Sequence, residues 1–388
     1  MKQWSRARTT RYLVVAVFVA TFDRSVISPM FIGMAQDFDT TLATITLSAS
    51  AYYFAYGLAQ PLWGIVSDRL GRISTMRLAL VLAAAADLLS VIPMSIEPFI
   101  LMRAVAGAAM AGVFPTALIF IGDTIENDRE RQPVIASLMT GVALGLTLGT
   151  VLGGIGISTI GWQAFFVANA LASVGLAWLV RSMPNPRPEG GRLPVATAFR
   201  IVLSNHWSWL LYALVFVEAG VLLGVFILIP AALETSGSTA AVAGLVAGGY
   251  GLSVLGTSVI VRRMSLKAPP HILLAIGGTA ATLGFALLAL QVSAALVLAS
   301  VMLQGVAWVF MHTTLQTWAT TLSDQARATA VSLFAGFMFL GNAVGTLLAG
   351  ILLQSQGTRV LFTTAAVTMV LLTAVAAASR RRYSLRLG

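Results

Sequence analysis

GLTLGTVLGG, residues 145–154, returns 196 residues later as GNAVGTLLAG, residues 341–350. The same offset aligns GWQAFFVANA (161–170) with GTRVLFTTAA (357–366). Two separate stretches sharing one offset, close to half of the 388 residues, point to a duplicated unit rather than to chance likeness between apolar segments. The architecture this predicts is six plus six helices.

The composition says which solvent the unit lives in. Hydrophobic residues make up 58% of the chain and charged residues 10%, and the mean hydropathy is +0.88, far from the range of soluble domains. Apolar runs able to cross a bilayer recur near 12–36, 43–67, 75–94, 98–122, 132–156, 162–181, 206–233, 238–260, 271–291, 293–320, 328–353 and 357–379. The expected fold is an all-α membrane protein of twelve transmembrane helices, arranged as two six-helix bundles related by a pseudo-two-fold axis. SMPNPRPEGGRLP (182–194), rich in Pro, Gly and Arg, breaks the apolar pattern near the middle and reads as a linker. The expected division is therefore a first bundle over 1–181, a cytoplasmic linker over 182–205 and a second bundle over 206–388.

A net charge of +10 has to be judged by where it sits. With a cytoplasmic N-terminus, the clusters Lys2/Arg6/Arg8/Arg11, Arg69/Arg72/Arg77, Arg129/Arg131, Arg187/Arg192/Arg200, Arg262/Arg263/Lys267, Arg327 and Arg380/Arg381/Arg382/Arg386 all fall on one side, and the opposite loops hold only Arg359. This is the positive-inside distribution, which places both termini in the cytoplasm and makes the basic excess a topology signal, not a nucleic-acid footprint. MKQWSRARTTR runs straight into the first apolar run without a small-residue cleavage site, so the N-terminus is expected to be retained. Lysine occurs only at Lys2 and Lys267, an arginine-biased usage that points to a GC-rich bacterial genome, for which the expected location is the inner membrane.

Several chemistries are excluded or unsupported. Cysteine is absent, so there is neither a disulfide framework nor a thiolate metal site. His206, His271 and His312 lie far apart, and no HExxH or GxSxG pattern occurs. A P-loop needs a Gly-Lys pair, whereas Lys2 follows Met1 and Lys267 follows Leu266. Neither a metal, a cofactor, ATP drive from within the chain nor enzymatic catalysis is expected.

FDRSV (22–26) places an acid and a base inside the first apolar run. At 1.5 Å per residue, Asp23 lies about 18 Å into a hydrocarbon layer of roughly 30 Å. An isolated carboxylate at such depth binds a proton or finds a cation. Arg24 is a poor partner, since neighbours on a helix point about 100° apart. Arg103, in the fourth segment, is placed at the same depth and is the expected partner. Glu218 in the seventh segment reaches a similar level, nearly the counterpart of Asp23, and Asp87 in the third lies there too. The function this suggests is a polar midplane site, with Asp23, Arg103 and Glu218 as the proton-coupling candidates. A fixed ion-pair network that only specifies packing is the competing reading.

Arg24 has two readings: a guanidinium for an anionic substrate, or a counter-charge to Asp87 or Glu218. Two four-residue stripes, Ser48/Tyr52/Tyr56/Gln60 and Gln304/Trp308/His312/Gln316, collect polar and aromatic groups that lipid would not favour, so both are expected to face inward. Arg24, Tyr52, Tyr56, Gln60, Gln304, Trp308, His312 and Gln316 are the candidate cavity residues. Hydrogen bonding between helices explains either stripe as well.

GIVSDRLGR (64–72) joins the second and third segments. Gly64 is expected to admit a close backbone, Asp68 to face a helix N-terminus, and Arg72 to reach one of Asp123, Glu126, Asp128 or Glu130. Here the chain resembles the major facilitator superfamily, whose loop motif G-x-x-x-D-R-x-G-R is matched at Gly64, Asp68, Arg69, Gly71 and Arg72. The fourth segment is similar to the family's R-x-x-x-G-x-x-x-G, with Arg103 and Gly107 in place and Gly112 one position late. The fifth resembles the antiporter pattern G-x-x-x-G-P-x-x-G-G at Gly145, Gly149, Gly153 and Gly154, but Thr150 stands where that pattern has proline, so a weaker bend is expected. The resemblance implies that these glycines seal one side of a cavity, and that Asp68, Arg72 and Asp123 hold one access state. Plain small-residue packing is the other account of the glycines, and their duplication at 341–350 favours it.

What the resemblance implies is a monomeric secondary transporter in a lipid bilayer, moving a small molecule by alternating access. FDRSVISP (22–29) is similar to the first helix of the twelve-helix drug/proton antiporters, which implies proton-coupled efflux of amphipathic compounds. An Asp-Arg pair also resembles the organic-anion and lysolipid branches, which implies an anionic substrate on Arg24 and Arg103; there a Tyr-x-Asp-Arg run occurs, and here Thr21 and Phe22 precede the pair. A membrane sensor that binds without turnover is the reading from another class.

Overall fold

In hydrocarbon every backbone N–H and C=O must be satisfied within its own segment, so a chain this apolar has little choice but helices. The computed structural model describes residues 6–92, 95–125, 127–186, 194–264, 268–323 and 325–387; Lys2, Glu126, Arg187, Arg192 and Lys267 lie outside them. Among the described residues there is no strand. The chain forms two compact units, Met1–Gly191 and Arg192–Gly388.

The first unit holds α1 (Ala7–Asp37), α2 (Leu42–Leu70), α3 (Arg72–Ser90), α4 (Ile96–Thr124), α5 (Asp128–Gly156) and α6 (Trp162–Ser182). The second holds α7 (His206–Thr235), α8 (Ala240–Met264), α9 (Pro270–Leu290), α10 (Ala294–Ala319), α11 (327–356) and α12 (358–387). Among the described residues ten stretches are long and apolar enough to span a bilayer, with α11 and α12 counted as one. The remaining helix, α2, carries Ser48, Tyr52, Tyr56 and Gln60 in a single buried row, which lowers its hydropathy. No loop separates α11 from α12: Gly357 (φ 79°, ψ 179°) alone breaks the helix, and Arg359 falls in the first turn of α12 rather than in a loop. Within the expected linker, Val195–Leu203 is itself a helix, with Ala198 and Val202 buried.

Pairing is the same in both units. α1 packs on α5, α2 on α4 and α3 on α6; correspondingly α7 packs on α11, α8 on α10 and α9 on α12. Glycine sets the first of these contacts. A Cβ at Gly145 would stand 2.8 Å from the Phe18 carbonyl oxygen, one at Gly149 would meet Ser25 Oγ, and one at Gly153 would meet the Val26 carbonyl. The row of four-residue steps therefore brings the α5 backbone directly against α1. In the second unit Gly341 lies on the Phe216 carbonyl and Gly345 on that of Gly220. Gly154 is buried as well. Thr150 leaves α5 unbroken over Asp128–Gly156, its Oγ1 donating to the Leu146 carbonyl at 2.8 Å. Its repeat counterpart is Thr346.

The α2–α4 contact is built the same way and matters for the site below. Gly107 lies on the Tyr52 backbone, one turn from Arg103. Gly112 takes the Trp63 ring at 2.7 Å from its Cβ position, while Trp63 Nε1 donates to the Ala108 carbonyl at 2.6 Å.

A methyl group added at Gly345 has to displace the Gly220 backbone, whereas one at Gly256 meets none of the described residues within 4 Å. Overpacking of this kind costs about 1–3 kcal/mol. Thermal unfolding in detergent should show Gly345→Ala lowered by several degrees and Gly256→Ala unchanged or raised; equal midpoints would show that the glycine seam does not hold α7 to α11.

Candidate functional site

Five helices of the first unit deliver side chains to one point. Arg103 on α4 donates from Nη1 to Asp23 Oδ1 and from Nη2 to Asp23 Oδ2, both at 3.1 Å. The same Nη1 donates to Asp87 Oδ1 on α3 at 2.9 Å. Asn169 on α6 donates from Nδ2 to the other Asp87 oxygen at 2.8 Å. The Tyr52 and Phe166 rings lie against the guanidinium, their centroids 4.8 and 4.7 Å from its central carbon. Asp23 and Asp87 are fully buried and Arg103 is 1% exposed. Ion pairs this deep are strong only if geometry is good, and two-point contact of a guanidinium with a carboxylate meets that demand. The charge count does not close: one guanidinium faces two carboxylates.

The level of Asp87 was legible from depth alone, but its partner was not. Asp87 joins Arg103, so the cluster holds a third ionisable group beyond the expected Asp23–Arg103 pair. Asn169 and Phe166 carried no signal in the sequence, because a single amide or phenyl ring in an apolar segment resembles ordinary packing. Arg24 is half-buried, and its carbonyl accepts from Tyr53 Oη at 3.3 Å.

In the second unit Glu218 on α7 meets His312 on α10, with Nδ1 2.9 Å from Oε2. A carboxylate opposite Nδ1 selects the tautomer with its proton on that nitrogen. Glu218 is fully buried and His312 is 5% exposed. The other carboxylate oxygen, Oε1, has no partner among the described residues. Glu218 precedes one π-helical turn, Gly220–Val225, and His312 closes another, Trp308–His312; such turns widen the helix and turn the following side chains. Trp308 stacks on the imidazole at 3.8 Å with the planes 9° apart.

The two stripes divide. Tyr52, Tyr56 and Gln60 are buried, Tyr52 directly against Arg103. Gln304 donates from Nε2 to the Ala281 carbonyl at 3.4 Å, so it joins α10 to α9 instead of facing inward with His312. Gln316 is exposed. A period of four residues puts side chains on one face only of a regular helix, and the π turn at Trp308–His312 interrupts that register.

The loop between α2 and α3 is an ionic lock around a buried arginine. Arg72 donates from Nε to Asp123 Oδ2 at 2.7 Å, and from Nη1 to Asp68 Oδ1 at 2.7 Å and Ser67 Oγ at 2.8 Å. Gly71 holds φ +87°, a conformation that favours glycine. Arg69 is exposed. Gly64 does not have the role expected of it: a Cβ there meets none of the described residues within 4 Å. The close approach belongs to Gly71, whose missing side chain is replaced by Asn185. Asn185 Oδ1 accepts from the Ile73 and Ser74 amides at 2.8 and 3.3 Å, and its Nδ2 donates to the Leu70 carbonyl at 3.0 Å and Ser74 Oγ at 2.9 Å. The chain after α6 thus caps the start of α3, a contact hidden in a stretch that read as linker.

The sequence model of the Major Facilitator Superfamily matches residues 13–327 and 225–385. Among curated proteins, an "MFS-type transporter" of Aspergillus terreus is 25% identical over 197 residues, 50% of this chain and 34% of that protein. A "Methylenomycin A resistance protein" of Streptomyces coelicolor is 24% identical over 47% of this chain and 39% of its own length. The "Multidrug transporter MdfA" of Yersinia pestis is 29% identical over 48% and 46%. These matches thus span between a third and a half of the relatives' lengths. Whole-chain likeness comes from solved structures: the nucleoside transporter NupG has a TM-score of 0.79 at 15% identity, covering 97% of this chain and 99% of that one. A bacterial homolog of the human lysosomal transporter Spinster has a TM-score of 0.77 at 18% identity, covering 98% of both.

Two measurements bear on this geometry. Arg103→Gln strips two buried carboxylates of their cation, a change that costs about 3–5 kcal/mol; Asp23→Asn added to it should recover part of the lost thermal stability, and no recovery would show that the pair is not coupled. Asn185→Ala removes four hydrogen bonds and should raise proteolytic cleavage after α6 while Asn205→Ala, at the start of α7, leaves it unchanged.

Proposed function

Because the chain belongs to the Major Facilitator Superfamily, we propose that it is a secondary active transporter, a proton-coupled exporter of small amphipathic compounds working by alternating access. It acts as a monomer in a bacterial inner membrane with both termini cytoplasmic. One observation carries the coupling: Asp23 and Arg103, buried together in the first unit, share their site with a second carboxylate, so the cluster gains by binding a proton. Protonation weakens the hold of Asp23 or Asp87 on Arg103 and alters how α1, α3, α4 and α6 are tied together. This is how a carboxylate links a proton to an access change. Glu218 with His312 is the second coupling or cation-selecting group, and Trp308 supplies a flat face for an amphipathic substrate. Asp68, Arg69, Gly71, Arg72 and Asp123 hold one access state.

Efflux is favoured by the printed names of the sequence relatives, which include resistance and multidrug proteins. The alternative, an organic anion or lysolipid bound by Arg24 and Arg103, requires Arg103 to release two carboxylates that already occupy it. A sensor would bind its ligand without turnover.

The test is internal pH in proteoliposomes carrying a proton gradient, challenged with cationic, neutral and anionic amphiphiles, for the parent and Asp23→Asn. One class of compound should dissipate the gradient in the parent and fail to do so in the variant. Equal responses in both would make Asp23 a structural partner of Arg103 and move the anion reading ahead; no response to any compound would favour a sensor.

A further inference from the structure

On the reading that the Asp23–Arg103 cluster exchanges protons, we infer that its proton sits on Asp87, positioned by Asn169, while Asp23 stays ion-paired. The argument begins with charge. Asp23 Oδ1 and Asp87 Oδ1 accept from the same nitrogen, Nη1 of Arg103, at 3.1 and 2.9 Å. The groups facing Asp87 are Asp23 from α1, Arg103 from α4 and Asn169 from α6, with the Tyr52 ring of α2 lying against Arg103. Of these only Arg103 is cationic. With both carboxylates ionised the cluster is one negative charge in excess, and neither carboxylate has any exposed surface. A single proton makes it neutral.

Hydrogen-bond geometry decides which acid holds the proton. Asp23 presents both oxygens to the guanidinium, Oδ1 to Nη1 and Oδ2 to Nη2, the two-point arrangement that suits an ionised carboxylate. Asp87 offers one oxygen to Nη1 and turns the other to Asn169 at 2.8 Å. A carboxylic acid must donate as well as accept, and a side-chain amide can serve both states. Its Nδ2 donates to ionised Asp87; turned over about its own axis, its Oδ1 accepts from the protonated acid. Loading therefore adds H⁺ to Asp87 Oδ2 and forms an O–H donated to Asn169 Oδ1. Release returns H⁺ to water, and the carboxylate takes its bond from Nδ2 again. No other bond is made or broken.

Infrared difference spectroscopy reads the proton directly through the C=O stretch of a carboxylic acid, in purified protein reconstituted in liposomes of neutral lipid and stepped in pH. The parent should show a band at neutral pH that Asp87→Asn removes. Asn169→Ala should keep the band and move it to higher frequency, since the acid loses its acceptor. Asp23→Asn should also remove it, because Asp87 and Arg103 then balance without a proton. A band that survives Asp87→Asn, or one that Asn169→Ala leaves in place, puts the proton on another group and overturns the assignment. The spectra need no turnover, so a band that behaves as stated in a protein that moves no protons in the gradient assay supports the proton's location and defeats the coupling alone.

Discussion

A guanidinium shared by two fully buried carboxylates is the interaction on which the first unit turns. Arg103 ties α4 to α1 through Asp23 and to α3 through Asp87, and Asn169 extends the network to α6. Removing any charge from such a cluster changes what the others can be, because hydrocarbon offers no alternative partner. Packing serves this network rather than the reverse. Gly107 lets α4 approach the Tyr52 backbone, and that approach is what lays the Tyr52 ring against Arg103.

The second unit repeats the scaffold and changes the chemistry. α7 and α11 meet through glycine as α1 and α5 do, yet the buried acid now faces an imidazole. Glu218 faces His312, and an imidazole can be either neutral or cationic. A guanidinium cannot do this, since it stays charged throughout the accessible range. One duplicated frame thus holds a permanent cation in one unit and a switchable one in the other.

The loop after α2 shows how far a motif can be read locally. Asp68 of this motif and Asp123 of α4 meet at Arg72, because the turn at Gly71 aims the start of α3 back over the end of α2. The fourth participant, Asn185, comes from 112 residues downstream of Ile73. It fills the space that glycine leaves and pins the amides at the α3 N-terminus, so the end of the unit closes on its own loop motif.

Hydropathy and the 196-residue offset were enough for the helix count and the duplication. The physical reason is that a bilayer imposes a length and a polarity on each segment independently of every other. Depth was legible too, since a helix rises by a constant step, and it put Asp23, Asp87 and Arg103 at one level. Which of them touch is a matter of rotation about each helix axis and of helix order within the unit, and neither is written in any one segment. For that reason the sequence offered Asp87 only Arg24 as a counter-charge, left Asn169 and Asn185 silent, and placed Gln304 on the same face as His312. Only the packed helices, with a π turn that shifts register at Trp308–His312 and glycines that bring two backbones into contact, decided that one arginine serves two acids.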